Sequence, residues 1–411
     1  MKKILIIYTL FAFNFKPAAL AQWVQLSNTA CANSAVNSSD DKLYICSSLY
    51  GFLISADSGY TFQQSNNGLN TLETKCLLIK DSVFVLGTSQ GIYKSNDYGA
   101  TWLPANNGFP ASYSYVLDIV LKGDSIFIVS GGKGIYCSAD FCQSWFPVNN
   151  GLSDLYFGCI FYKNNRIFAG NYYSGKGIYI SDDNGLSWVQ KNEGVPFSNF
   201  APTKHVDITS FTSINQIIFA STYGGNLLKS EDNGESWTVL NCPNNYIWTV
   251  FNSDNTLYTG HSGAGPCKSE DAGESWSIIG DGMSNNIDKE VLSFCTMGSY
   301  LYATGGVGVS GNVFRRLISN NLTQIPEYTF RDDAIVYPNP VSGRSKIIFD
   351  TPHNANFSLE IFNSTGSCLK KSINLQYNDL EINRNEYPVG IYIYRISGSG
   401  METYVGKFII N

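Results

Sequence analysis

The stretch SEDNGESW at residues 230–237 returns as SEDAGESW at 269–276 and as SNDYGATW at 95–102. Aligning the chain on this octet gives six copies of one pattern, with Ser first, Asp third, Gly fifth and an aromatic eighth. The copies are Ser55, Asp57, Gly59, Phe62; Ser95, Asp97, Gly99, Trp102; and Ser138, Asp140, Cys142, Trp145. They continue as Ser181, Asp183, Gly185, Trp188; Ser230, Asp232, Gly234, Trp237; and Ser269, Asp271, Gly273, Trp276. The starts lie 40, 43, 43, 49 and 39 residues apart, a period that belongs to propeller blades or solenoids. Each octet reads as a hairpin staple. The Asp accepts hydrogen bonds from turn amides two residues on, and the Ser hydroxyl closes the same turn. The Gly permits positive φ, and the aromatic folds under the turn, burying on the order of 150–250 Å².

The surroundings of the octet recur with it. Upstream stand apolar runs such as VFVLG (83–87), IFIVS (126–130) and IIFAS (217–221), followed by GIYKS (91–95) or GIYCS (134–138). Downstream an outer strand ends in NNG at 66–68, 106–108 and 149–151, before a further apolar strand such as YVLDIVL (115–121). Four short strands per period predict an all-β propeller. LYATGG (301–306) and GNVFRR (311–316) repeat the two middle strands a seventh time, with Arg315 and Leu317 where the octet would have Ser and Asp. WVQLSN (23–28) resembles an outer strand with no blade before it, so it is expected to close a seven-bladed ring by joining the last blade.

These octets resemble the Asp-box, or bacterial neuraminidase repeat, found in sialidases, xyloglucan-degrading propellers, sortilin-type receptors and photosystem assembly factors. The resemblance covers about residues 23–320. It implies the fold and that Asp57, Asp97, Asp140, Asp183, Asp232 and Asp271 are scaffold, and it leaves activity open.

A different pattern begins at IVYPNP (335–340). Short alternating strands separated by Gly, Asn and Ser turns read as a small immunoglobulin-like β-sandwich. Tyr337-Pro338-Asn339-Pro340, Leu359–Phe362, Tyr387–Tyr392 with Gly390, and the terminal Lys407–Ile410 resemble the C-terminal sorting domain of the type IX (Por) secretion system of Bacteroidetes. That resemblance implies a route across the outer membrane and a partner in the secretion machinery. At the other end, Lys2 and Lys3 precede an apolar run and an Ala19-Leu20-Ala21 site, which reads as a secretory signal peptide. The organisation expected is signal peptide 1–21, propeller 22–320, linker 321–334 and sorting domain 335–411, with the product secreted or at the outer cell surface.

Composition narrows the function. Without residues 1–21 the chain has 24 basic against 33 acidic residues, a net charge of −9, which argues against nucleic acid as a partner. No later segment approaches the roughly 20 apolar residues of a membrane span. The three histidines, His205, His261 and His353, stand far apart in sequence and no CxxC occurs, so neither a metal nor another cofactor is expected. Cys76, Cys159 and Cys295 read as buried thiols, whereas Cys31 with Cys46 and Cys137 with Cys142 are the disulfide candidates.

Two functional readings follow. Resemblance to sialidases implies three arginines converging on a carboxylate, but only Arg166 lies within the first six blades. A glycoside hydrolase using a carboxylate pair stays open through Glu73, Asp118, Asp207 and Glu290, on or near innermost strands. The favoured reading is a noncatalytic module binding a glycan or protein. Five of the seven Trp are octet residues and Trp23 belongs to the closing strand, which leaves Trp248 alone, entering an innermost strand on the face opposite the octets. Tyr246, Tyr113, Tyr115, Tyr156, Phe157, Phe200 and His205 occupy comparable connections. Flat rings at a channel mouth suit stacking on a sugar or gripping a peptide.

Overall fold

The computed structural model describes residues 22–26, 35–110, 114–199, 201–244, 246–284, 286–306, 311–318, 335–348, 357–363, 368–375, 379–398 and 404–410. The chain divides into two compact units, Met1–Ile318 and Ser319–Asn411.

The first unit holds seven four-stranded antiparallel sheets. Blade 6 shows the plan, with Ile247–Ser253 innermost, then Thr256–His261 and Cys267–Ser269, and Ser277–Ile278 outermost. Each innermost strand packs beside the next around the ring, and Ala35–Ser39 of blade 1 packs beside Val291–Met297 of blade 7. The seventh sheet takes its outermost strand from the other end of the unit: Val24 pairs with Arg315 and Gln25 with Phe314. The expected closing strand is therefore in place, and Trp23 anchors it by donating from Nε1 to the Ile279 carbonyl at 2.6 Å. The 49-residue interval before Ser230 has a local cause, an extra hairpin of Phe197–Ser198 and Ala201–His205 between blades 4 and 5.

Apolar side chains fill the spaces between blades. Phe127, Val129, Ile135 and Cys137 of blade 3 pack on Phe157, Ile160, Ala169 and Trp188 of blade 4, and equivalent clusters occupy the other six interfaces. Strands buried on both sides explain why the second strand of each blade is a continuous apolar run rather than an alternating one.

The octet aromatics fold under their own turns, as expected, with Trp102 Cζ2 3.3 Å from a Cβ built on Gly99 and Trp276 donating from Nε1 to the Gly273 carbonyl at 3.0 Å, and they also take part in these interfaces. Trp145 packs on Val85, Ile92 and Phe109 of the preceding blade. Its backbone N–H donates to the Asn107 carbonyl at 2.8 Å and its Nε1 to the Ala105 carbonyl at 2.8 Å. The NNG ending is the platform for this lock. A Cβ on Gly108, at φ +82°, would lie 2.1 Å from the Trp145 carbonyl oxygen, and the same approach recurs between Gly282 and Trp23 at 2.2 Å.

In the second unit, Ile335–Tyr337, Arg344–Ile348 and Asp379–Asn383 form one sheet, and Cys368–Leu375, Phe357–Asn363, Gly390–Gly398 and Tyr404–Ile410 the other. Val336, Ile347 and Ile382 from the first sheet meet Leu359, Tyr394 and Phe408 from the second in one core, as in a β-sandwich.

Candidate functional site

The octets form a uniform hydrogen-bonded unit. In the copy at 230–237, Ser230 Oγ donates to Asp232 Oδ1 at 2.8 Å and accepts from the Gly234 N–H at 2.7 Å. Asp232 Oδ1 also accepts from the Ser236 N–H at 3.0 Å, and Oδ2 from the Ser236 hydroxyl at 2.5 Å. The Asp thus reaches amides four residues on, not two, and the seventh position supplies a hydroxyl in every copy: Thr61, Thr101, Ser144, Ser187, Ser236 and Ser275. Sequence reading overlooked that position, although Thr or Ser stands there in all six octets. The hydrogen bonds favour the ionised carboxylate. Asp97 is held at about 2 by the Ser95 and Thr101 hydroxyls, and Asp271 at about 2 by Ser275 and Ser269.

The expected Cys137–Cys142 disulfide is corrected, since both are free, buried thiols. Their side chains enter opposite interfaces, Cys137 toward blade 4 with Trp188 and Cys142 toward blade 2 with Val85 and Ile92. Cys142 fills the octet Gly position by adopting φ 71°. Cys46 is also a free buried thiol, and Cys31 lies outside the described residues. Cys76, Cys159 and Cys295 are buried free thiols, as expected.

The opposite face carries the aromatic residues. The octets sit on the hairpin between third and fourth strands, so antiparallel topology places the start of each innermost strand, and the hairpin between second and third strands, at the other end. Six of the seven innermost strands carry a bulge near their start. In blade 6 Ile247 pairs with His261 and Thr249 with Gly260, leaving Trp248 as the extra residue. A bulge re-aims its extra side chain and ends regular pairing there. The corresponding residues in the other bulged blades are Lys75, Leu117, Gly158, Thr209 and Leu292.

Trp248 does not stand alone. Its ring lies 4.8 Å from that of Tyr223, which lies 5.0 Å from that of Tyr246. Trp248 Nε1 donates to Glu290 Oε1 at 3.2 Å, so blades 5, 6 and 7 all contribute. Toward blade 4 the cluster continues through Tyr172 and Tyr173, whose ring centroids are 4.2 Å apart. The Tyr173 N–H donates to Asp207 Oδ1 at 2.8 Å. Burial pushes the Tyr172 hydroxyl above its usual range, and the nearby Tyr173, Asp207 and Tyr223 add to the rise. Tyr173 is 73% exposed, which leaves one end of the arc open.

Of the six ligand candidates, Trp248 and Tyr246 are brought together. Tyr156 borders the arc, its carbonyl accepting from the Tyr172 N–H at 3.0 Å. Tyr115 lies on blade 3, 5.9 Å from Lys75 Nζ. His205 belongs to the extra hairpin, where its ring stacks on Phe197 at 4.5 Å, and Phe157 is core. Tyr113 and Phe200 lie outside the described residues. Sequence reading missed Tyr172, Tyr173 and Tyr223. Their position beside the second-to-third hairpin, on the same face as Trp248, was the available signal.

The carboxylates named for a hydrolase have individual partners. Glu73 pairs with Lys75 at 2.9 Å, Asp207 holds the Tyr173 amide and Glu290 the Trp248 indole. Asp118 joins two blades, accepting from the Ile119 and Ile160 N–H groups at 2.8 and 2.9 Å, while burial raises it to about 6. Arg166 is engaged on the octet face by Asp182 and Glu235, each at 2.6 Å. Arg315 stacks between Tyr60 and Tyr300. Among the described residues no group of three or more His, Cys, Asp and Glu is arranged to hold a metal ion.

In the second unit the two ends of the sorting motif meet. Asn339 Oδ1 accepts from the Ile409 N–H at 2.9 Å and its Nδ2 donates to the Lys407 carbonyl at 3.4 Å. Gly390 pairs with Ile410, and the Ser345 hydroxyl donates to the Pro338 carbonyl at 2.5 Å. Tyr337 is exposed.

The fold therefore defines an Asp-box-like seven-bladed propeller followed by a β-sandwich. Residues 335–411 match the secretion system C-terminal sorting domain, which directs export to the cell surface or the medium by the type IX system and implies contact with its machinery. No curated protein matches the chain. Among solved structures it is similar to the extracellular domain of the putative hybrid two-component system BT3049 from B. thetaiotaomicron, at 14% identity and TM-score 0.59, covering 95% of this chain and 58% of that one. It is similar to PorZ, a surface component of the type IX secretion system of Porphyromonas gingivalis, at 13% identity and TM-score 0.51, covering 92% and 59%. YCF48 from Cyanidioschyzon merolae is similar over 73% of this chain and all of its own, at 13% identity and TM-score 0.55. The chain thus spans under two thirds of the first two, and at these identities the likeness is one of fold. Among the described residues no helix is long and apolar enough to cross a membrane.

Proposed function

We propose that the propeller is a noncatalytic binding module, working at the cell surface or in the medium, whose ligand stacks on the arc of Tyr173, Tyr223, Tyr246 and Trp248. The observation that carries this reading is the bulge that makes Trp248 the unpaired residue, set against Tyr223 and bonded through its indole to Glu290. Aromatic faces beside a carboxylate suit a sugar, whose C–H faces stack and whose hydroxyls donate, and equally an extended peptide. A propeller of the same fold, YCF48, is described bound to D1 peptide, which supports a peptide as one ligand class. The test is a glycan and peptide array probed with the exported protein, followed by Trp248→Ala and Tyr223→Ala. Both variants should lose binding at least tenfold while melting near the wild type. Unchanged binding in both would refute this site.

Asp118, at about 6, has a pKa suited to proton transfer near neutrality, which is the observation favouring a glycoside hydrolase as the second reading. Both its oxygens accept backbone amides across blades 3 and 4, a structural role. Release of reducing sugar that disappears in Asp118→Ala, with the fold retained, would move the reading to catalysis.

A further inference from the structure

Two cysteines that sequence reading left unassigned meet inside the propeller. Cys242 follows the outermost strand of blade 5, Thr238–Leu240, in the connection that leads to Tyr246 and Trp248. Cys267 opens the third strand of blade 6 and pairs with Thr259. Both are buried thiols, free in this structure, and Cys242 Sγ lies against Thr259, the cross-strand partner of Cys267. Cys242 Sγ lies 3.6 Å from Thr259 Oγ1 and 3.7 Å from His261 Nε2, and those two atoms are 2.8 Å apart. His261 is fully buried, and its Nδ1 has no hydrogen-bond partner. Elsewhere the buried thiols bond differently: Cys76 donates to the Val116 carbonyl and Cys159 to the Ile208 carbonyl.

We propose that Cys242 and Cys267 are joined as a disulfide in the exported protein, a covalent clamp between the blade 5 exit and blade 6. Export across the periplasm takes the chain through an oxidising compartment, where paired thiols are oxidised. The Cys242 thiolate attacks one sulfur of a disulfide carried by a thiol–disulfide exchange oxidant, breaking that bond and releasing one oxidant thiolate. Cys267 then attacks Cys242 Sγ in the mixed disulfide and expels the second thiolate. Two electrons and two protons pass from the cysteine pair to the oxidant, which leaves as a dithiol. Because both sulfurs are buried in the finished ring, the exchange belongs to the folding stage, before blades 5 and 6 close on each other.

The test uses exported full-length protein, unfolded without reductant and alkylated. The Cys242 and Cys267 peptides should be recovered joined, lighter by two hydrogens than the free pair, while the other cysteines are alkylated. Reductant should lower the wild-type Tm by about 5 °C and leave Cys242→Ser and Cys267→Ser unchanged, each already melting at the reduced value. If a Ser variant fails to fold, the wild-type peptide map alone decides. Alkylation of both residues in the exported protein would overturn the proposal. So would thiols protected by stoichiometric zinc or copper(I) and released by a chelator.

Discussion

Replacing Gly108 by Ala should destabilise the propeller far more than replacing Gly123, although both glycines have positive φ. Gly123, at φ +62°, has nothing within 4 Å of a built Cβ, so Gly123→Ala bears only the left-handed backbone penalty of about 1–2 kcal/mol. Gly108, at φ +82°, would put its Cβ 2.1 Å from the Trp145 carbonyl oxygen and 3.3 Å from its nitrogen. The Trp145 backbone cannot retreat freely, because its N–H is bonded to the Asn107 carbonyl at 2.8 Å. Breaking that bond in a buried interface adds about 1–3 kcal/mol. Gly108→Ala should therefore lose about 2–5 kcal/mol, and the unfolded-state effect of an added Cβ is common to both variants. Urea unfolding followed by tryptophan fluorescence measures both against the wild type, and the difference between the variants isolates the inter-blade contact. Equal losses would refute the view that the NNG glycines exist to let the next blade's Trp approach.

Asp232→Ala should lose about 1–3 kcal/mol by leaving the Ser236 amide and the Ser230 and Ser236 hydroxyls without their acceptor, and binding by the folded fraction should survive; unchanged melting would remove the staple. The octet carboxylates have folded pKa values below their unfolded ones, with Asp97 and Asp271 at about 2, so their stabilisation is complete above about pH 4 and is lost as pH falls toward 2. Acid unfolding of Asp97→Asn should accordingly show a shallower pH dependence than the wild type. Asp118 has the opposite sign: a folded value of about 6 above an unfolded value near 4 means that its contribution declines as pH rises from about 4 through 6, and carboxyl NMR should find one aspartate titrating near 6. Trp188→Ala should cost about 3–5 kcal/mol as a core truncation, a loss that Trp248→Ala should not share; similar losses in both would place Trp248 in the core. Deleting residues 335–411 should leave a folded propeller in the periplasm with its Tm unchanged, and normal export of the truncated protein would contradict the sorting role.

The six octets marked six blades, because each of those reuses the same short-range chemistry, and the seventh was legible in LYATGG and GNVFRR, which repeat the two middle strands without the octet. A Ser, an Asp and a Gly within five residues close a turn wherever the chain places them. The seventh-position hydroxyl was equally legible and went unread. The closing strand was visible in WVQLSN because an outer strand without a blade needs a partner elsewhere. The YPNP motif and terminal KFII were recognisable as motifs, while their meeting through Asn339 was not. What tertiary structure decided lies between blades. Whether Cys142 faces Cys137 depends on which interface each side chain enters, and a hairpin sequence carries no sign of that. Trp248 gains Tyr223 and Glu290 as neighbours only because a bulge shifts it out of register and three blades converge on it. Cys242 and Cys267 meet because two consecutive blades dock side by side, bringing together residues whose local sequences have nothing in common.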